Sequence, residues 1–113
     1  MKLIFVCSPL AGDMEANKAK ARRYCRFVME QGNVPFAPHL LFPQFLDDTV
    51  PAEREAGIDM GLMVLESCSE LWCFGPDISP GMAAEIEKAG DTLGIPIRRF
   101  EDNCREVVNR DPA

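Results

Sequence analysis

Leu3-Ile4-Phe5-Val6-Cys7 is five apolar residues in a row, with no polar residue among them. A strand with one wet face alternates polar and apolar. A run without alternation belongs inside a sheet that is covered on both sides, which is the usual state of a parallel sheet. The residues that follow fit that reading. Pro9, Gly12 and Asp13 break the run and supply a helix cap, and Met14 to Gln31 is helical in pattern, closed by Gly32. A second run, Glu70-Leu71-Trp72-Cys73-Phe74-Gly75, is again followed by a loop and a helix start, here Ser79 as N-cap and Pro80 at the first helical position.

The remaining segments fill the same pattern. Asn33 to His39 is expected as a strand whose two prolines place it at a strand end or an irregular exit. Leu40 to Val50 is a loop with at most a short turn. Pro51 starts a helix in which Ile58, Leu62 and Leu65 recur at helical spacing, and Gly57 and Gly61 leave room for another element to approach. Ala83, Ile86, Gly90 and Leu93 are the expected inward stripe of the helix that opens at Pro80 and ends at Gly94. Ala16, Ala19, Phe27 and Val28 are expected inward on the first helix. Ile95 to Phe100 is a fourth strand, near an edge because of Pro96. The alternation predicts an α/β chain, a three-layer Rossmann or flavodoxin-like fold with a mainly parallel sheet of four to five strands. One domain spans 1–113, with a core of about 2–100 and a polar tail over 101–113. In such sheets ligands bind at the carboxyl ends of the strands. Ser8 to Asp13, Pro38 onward and Gly75 to Gly81 are the loops at that end.

Charge narrows the partners. Twelve Lys and Arg against eighteen Asp and Glu give a net charge of −6. That argues against a nucleic-acid polymer, whose phosphates need a basic surface, but not against a small nucleotide held locally. The cations of the first helix, Lys18, Lys20, Arg22, Arg23 and Arg26, read as a solvated face. No apolar stretch is long enough for a membrane span or a secretory leader, so a cytoplasmic location is expected. The five cysteines have no C-x-x-C spacing and one histidine for company. They are expected to be reduced and mostly buried, with neither a metal site nor a cofactor.

Several polar residues fall near the expected crevice. Glu85 lies about one and a half turns into its helix, on the border between the expected inward stripe and the outer face. Spacing alone reads it as a surface acid, although the helix N-terminus favours its ionised form. The free amides after Ser79 can hold an anion or a hydroxyl. His39, the only histidine, reads as structural or as a ligand contact. Asp59, among Ile58, Met60 and Leu62, reads as a half-buried cap partner or a sugar-hydroxyl ligand. Asp47, Asp48 and Asp77 are loop acids of the kind found in turns. Phe42, Phe45 and Leu46 are loop apolars suited to an interface or to covering a pocket. Neither dinucleotide nor triphosphate glycine motifs are present.

Three segments carry a resemblance. Phe5-Val6-Cys7-Ser8-Pro9-Leu10-Ala11-Gly12, then Pro35-Phe36-Ala37-Pro38-His39, then Ser79-Pro80-Gly81-Met82-Ala83-Ala84-Glu85-Ile86 resemble the nucleoside 2-deoxyribosyltransferase-like superfamily, in its small bacterial and phage branch. The resemblance implies an N-glycosidase or (deoxy)ribosyltransferase working on a nucleoside or nucleotide. It makes Glu85 the nucleophile and Asp59 or Asp77 the group that orients the sugar or assists the departing base. It places Ser8, Pro9 and Gly12 along the sugar or phosphate pocket, and Gly81 and Met82 against the ligand. It also implies a homo-oligomer, a dimer or tetramer. A non-catalytic module that binds a nucleoside or nucleotide on the same fold is the alternative.

Overall fold

The structure is a computed structural model that describes residues 1–108. Four strands, β1 (Leu3–Cys7), β2 (Val34–Phe36), β3 (Glu70–Phe74) and β4 (Ile97–Phe100), form one all-parallel sheet in the order β2-β1-β3-β4. Phe5 is level with Phe36 on one side and Leu71 on the other, and Cys7 is level with Cys73. The chain steps outward from β1 to β2, then crosses back to β3. The strand order therefore reverses between β1 and β3, and a doubly wound sheet opens its crevice at that point.

The period of two along β1 divides the core. Ile4 and Val6 face α1 (Met14–Glu30) and pack with Tyr24, Val28, Trp72, Phe74 and Phe100. Phe5 and Cys7 face the opposite way and pack with Leu65, Leu71, Cys73, Met82 and Ala89. Leu71 and Cys73 belong to β3, whereas Leu65, Met82 and Ala89 come from α3 (Pro51–Leu65), α4 (Pro80–Glu87) and the wider turn of helix over Lys88–Leu93. α3 begins at Pro51 as the sequence predicts. A side chain at Gly61 would approach Phe42 and Pro38, and one at Gly57 would approach Leu46. These glycines thus let the segment around residues 38–46 lie on α3.

Four expectations are corrected. The buried face of α1 is Ala21, Tyr24 and Val28, whereas Ala16 and Ala19 are exposed. The second strand stops at Phe36: Pro38 occupies the first turn of a short helix, α2 (Pro38–Leu41), followed by a 3₁₀ turn over Phe42–Gln44. A proline without an N–H costs nothing at a helix start, which explains why it begins a helix here. The inward face of α4 centres on Met82 and Glu85, continued by Ala89; Ile86 and Leu93 pack beside it as expected, while Ala83 and Gly90 are exposed. The last strand starts at Ile97, two residues after the expected Ile95. Residues 101–108 turn back so that Phe100 bridges Glu106, and Tyr24 Oη donates to Asp102 Oδ1 at 2.6 Å. Residues 109–113 of the expected tail lie outside the described residues.

Candidate functional site

The first turn of α4 is built by its cap. Ser79 is extended (φ −75°, ψ 164°), and its Oγ accepts from the Met82 N–H at 3.2 Å. This starts the helix directly above the carboxyl end of β3. Three residues further on, and therefore on the same face, Glu85 points down with Met82 rather than out to solvent. It is 9% exposed. No ion pair reaches it among the described residues.

Glu85 lines a cavity of about 130 Å³. All three loops expected at the carboxyl edge contribute to it: Leu10 and Ala11 after β1, Pro38 and His39 after β2, and Ser79 to Met82 after β3. Phe42 and Leu46 form an apolar wall, and Asp48, Glu53, Arg54 and Ile58 complete the side toward α3. Phe45, by contrast, is exposed. Burial raises the Glu85 carboxyl to about 7, opposed by the Cys7 thiol beside it and reinforced by Cys73. Keeping it ionised in the folded protein therefore costs about 3 kcal/mol relative to water. Burial holds His39 below the ordinary imidazole value, although its ring reaches the backbone of Ser8 and Asp48 lies nearby. His39 is then neutral at pH 7.

A second hollow, about 530 Å³, lies on the α1 side of the same edge. It is lined by Ser8, Pro9, Lys20, Tyr24, Asp77 and Asp102 among others, and it meets the first at Ser79. It is the larger of the two, yet it contains no buried acid. Asp77 is exposed, and Asp102 is held by Tyr24 and by Arg23 at 3.2 Å. Chemistry therefore favours the smaller cavity. The hollow does offer one open valence. Ser8 Oγ is buried and makes no hydrogen bond among the described residues, which is costly unless something fills the position.

The structure thus gathers His39, Ser79, Gly81, Met82 and Glu85 around one cavity and sets Ser8, Pro9 and Asp77 beside it. Gly12 lines neither; its φ of +97° serves the turn into α1. Asp59 is exposed on α3 and lines neither, although its neighbour Ile58 lines the first. The residues alone do not reach Glu53, Arg54 or the contact of Cys7 with Met82. No motif marks these residues, and only the packing of α3 against the loop edge brings the first two into the cavity.

Residues 2–100 match a sequence family described as a domain of unknown function, DUF7768. A search of curated protein sequences returns no match. Solved structures do match. A 2-deoxyribosyltransferase from the psychrotolerant bacterium Bacillus psychrosaccharolyticus superposes with a TM-score of 0.69 at 17% identity, covering 95% of this chain and 77% of that one. A 2-deoxyribosyltransferase from Leishmania mexicana gives 0.59 at 19% identity, covering 89% and 65%. A CMP N-glycosidase from Clostridium botulinum gives 0.55 at 20% identity, covering 88% and 69%. At these identities the likeness is one of fold. The chain shares the flavodoxin-like fold of these structures. No described helix is long and apolar enough to cross a membrane.

Proposed function

The chain belongs to the DUF7768 family, and we propose that it cleaves or transfers at the N-glycosidic bond of a nucleoside or nucleotide with Glu85 as nucleophile. One observation carries the reading. A buried carboxylate with no cation partner among the described residues lines a cavity where the strand order reverses. Burying an acid without a partner is expensive, and sites of chemistry are where such expense recurs. The names of the structural relatives, two deoxyribosyl transferases and a CMP N-glycosidase, agree with the same bond.

The step balances simply. A Glu85 oxygen bonds to C1′ of the sugar as the C1′–N bond breaks. The bonding pair leaves with the base, which takes up a proton. The glycosyl ester on Glu85 is then opened by water, giving hydrolysis, or by a second base, giving transfer. Two easier displacements replace one difficult one, and the negative carboxylate stabilises the positive charge that develops at the sugar. Only the ionised carboxylate attacks, so the rate rises with pH through about 7, the value of Glu85. The apolar wall of Phe42 and Leu46 suits a planar base. The unbonded Ser8 hydroxyl, across Ser79, suits a hydroxyl or oxyanion on the sugar side.

The test is chromatography of free base after incubating the protein with nucleosides, deoxynucleosides, their monophosphates and NAD. Release by the parent and not by Glu85→Gln is expected. Saturable binding without release from any of them overturns the catalytic reading and leaves a binding module.

A further inference from the structure

The cavity that Glu85 lines also holds a cation that the proposed reaction does not use. Arg54, Gly57 and Ile58 recur at i, i+3 and i+4 along α3, and all three line the cavity. Arg54 is the only Lys or Arg among its described lining residues, whereas Asp48, Glu53 and Glu85 are acids. Yet Arg54 forms no ion pair among the described residues. Glu53, beside it in the chain, is engaged elsewhere: its Oε1 accepts from the Asp47 N–H at 3.1 Å. The position also has a local cost. Pro51 opens α3, so Arg54 stands in the first turn, where the helix dipole disfavours a cation. A cation set against the dipole, among acids it does not pair with, is a local misfit of the kind that sites carry.

The surroundings decide what Arg54 can hold. A side chain at Gly57 would meet Leu46 Cδ1 at 3.5 Å, and one at Gly61 would meet the Phe42 ring at 3.7 Å. The apolar wall therefore lies along the same helix that carries Arg54, and a planar group resting on Leu46 and Phe42 has Arg54 at its edge. A phosphate is a poor occupant, because it would bring its charge to a space lined by three acids and one cation. A carbonyl oxygen has no net charge and accepts readily from the fixed fork of a guanidinium. We infer that Arg54 reads the base by donating to its carbonyl oxygen while the ring lies on Phe42 and Leu46, so that bases bearing a carbonyl are preferred to adenine, which has none.

The inference rests on the glycosidic reading of the cavity, but binding alone tests it. Glu85→Gln is the background, so that the ligand stays intact. The probes are 2′-deoxyinosine and 2′-deoxyadenosine, whose bases carry an oxygen and an amino group at the same ring carbon. Dissociation constants are read by titration calorimetry. Deoxyinosine is expected to bind about tenfold or more tightly than deoxyadenosine. Adding Arg54→Met keeps the apolar stem and removes the donors. It should weaken deoxyinosine by about 10- to 100-fold and deoxyadenosine by less than about threefold, which closes the gap. Arg54→Lys keeps the charge without the fork and should restore only part of the preference. Arg54 is exposed, so neither replacement opens the core; if Arg54→Met still fails to fold, partial loss of preference in Arg54→Lys decides. Equal affinities with Arg54 present, an equal fall for both probes in Arg54→Met, or binding of neither probe overturns the inference. So does a loss confined to the 5′-monophosphates, which would make Arg54 a phosphate contact. The preference without base release from any compound by the parent sinks the glycosidic reading and keeps Arg54. Base release without the preference does the reverse.

Discussion

Two buried glutamates stand at opposite edges of the sheet, and they are treated in opposite ways. Glu70 begins β3 at the amino edge. Lys2 Nζ donates to its Oε2 at 2.8 Å and Trp72 Nε1–H to its Oε1 at 3.0 Å, and these donors hold its carboxyl below the ordinary range. Glu85 sits at the carboxyl edge with no ion pair among the described residues, and burial pushes it up to about 7. Both side chains are largely covered, but Glu85 lies deeper, and its desolvation is the larger. The partners differ, and with them the role. A carboxylate with both oxygens satisfied is structural material. A carboxylate kept without a cation beside an open cavity is available to bond to something else.

The comparison breaks most visibly in activity. Glu85→Gln is expected to lower base release by about 10³-fold or more, whereas Glu70→Gln should leave it within about threefold, both read by chromatography of free base. Stability separates the pair next. Glu85 has a raised folded value, so its stabilising contribution is complete below about 4.5 and is lost as pH rises through about 7. Glu85→Gln should therefore unfold at higher urea than the parent at pH 8, by up to about 3 kcal/mol, with the gap closing toward pH 5. Glu70 has a depressed value, so its contribution is present above the ordinary carboxylate range and is lost as pH falls through the folded value. Glu70→Gln should cost about 1 kcal/mol at pH 7, since Lys2 is itself half exposed, and almost nothing at low pH. Urea titrations of both variants at pH 5 and pH 8 check the two slopes together. A parallel pair of curves would erase the distinction.

The smallest expected effect sharpens the boundary of the site. Asp59 is exposed on α3 and lines neither cavity. Asp59→Asn should change base release by less than about twofold and stability by less than about 0.5 kcal/mol, by the same two assays. A large loss would mean that a partner copy of this chain brings Asp59 into a shared site.

How much of this was legible follows from what a periodic pattern can carry. The unbroken run Leu3 to Cys7, the Ser79-Pro80 start and the Gly94 stop marked β1 and the two ends of the helical stretch Pro80 to Leu93, because each rests on local chain chemistry alone. The face of this helix was legible only in part: Ile86 and Leu93 pack against the core, but Ala83 and Gly90 do not. Apolar periodicity selects Ala83, Ile86 and Gly90, because a charged residue at the centre of a buried face contradicts the pattern. The true face places Glu85 between Met82 and Ala89, and the helix widens after Glu87. Tyr24 escaped for a similar reason: its hydroxyl is satisfied by Asp102, 78 residues away. Glu85 itself was legible only through the motif around it, and its lack of an ion pair among the described residues only through the fold. The misread helix faces belong to the two helices that border the crevice, where local rules yield to the demands of a site.

The central claim is that Glu85 forms a bond to the sugar. The direct measurement is an acid quench during turnover at pH 8, followed by peptide mass mapping with a compound that releases base. The account predicts a glycosyl mass on the peptide carrying Glu85, absent from Glu85→Gln. Steady base release with no adduct on that peptide, or an adduct on another residue, would contradict it.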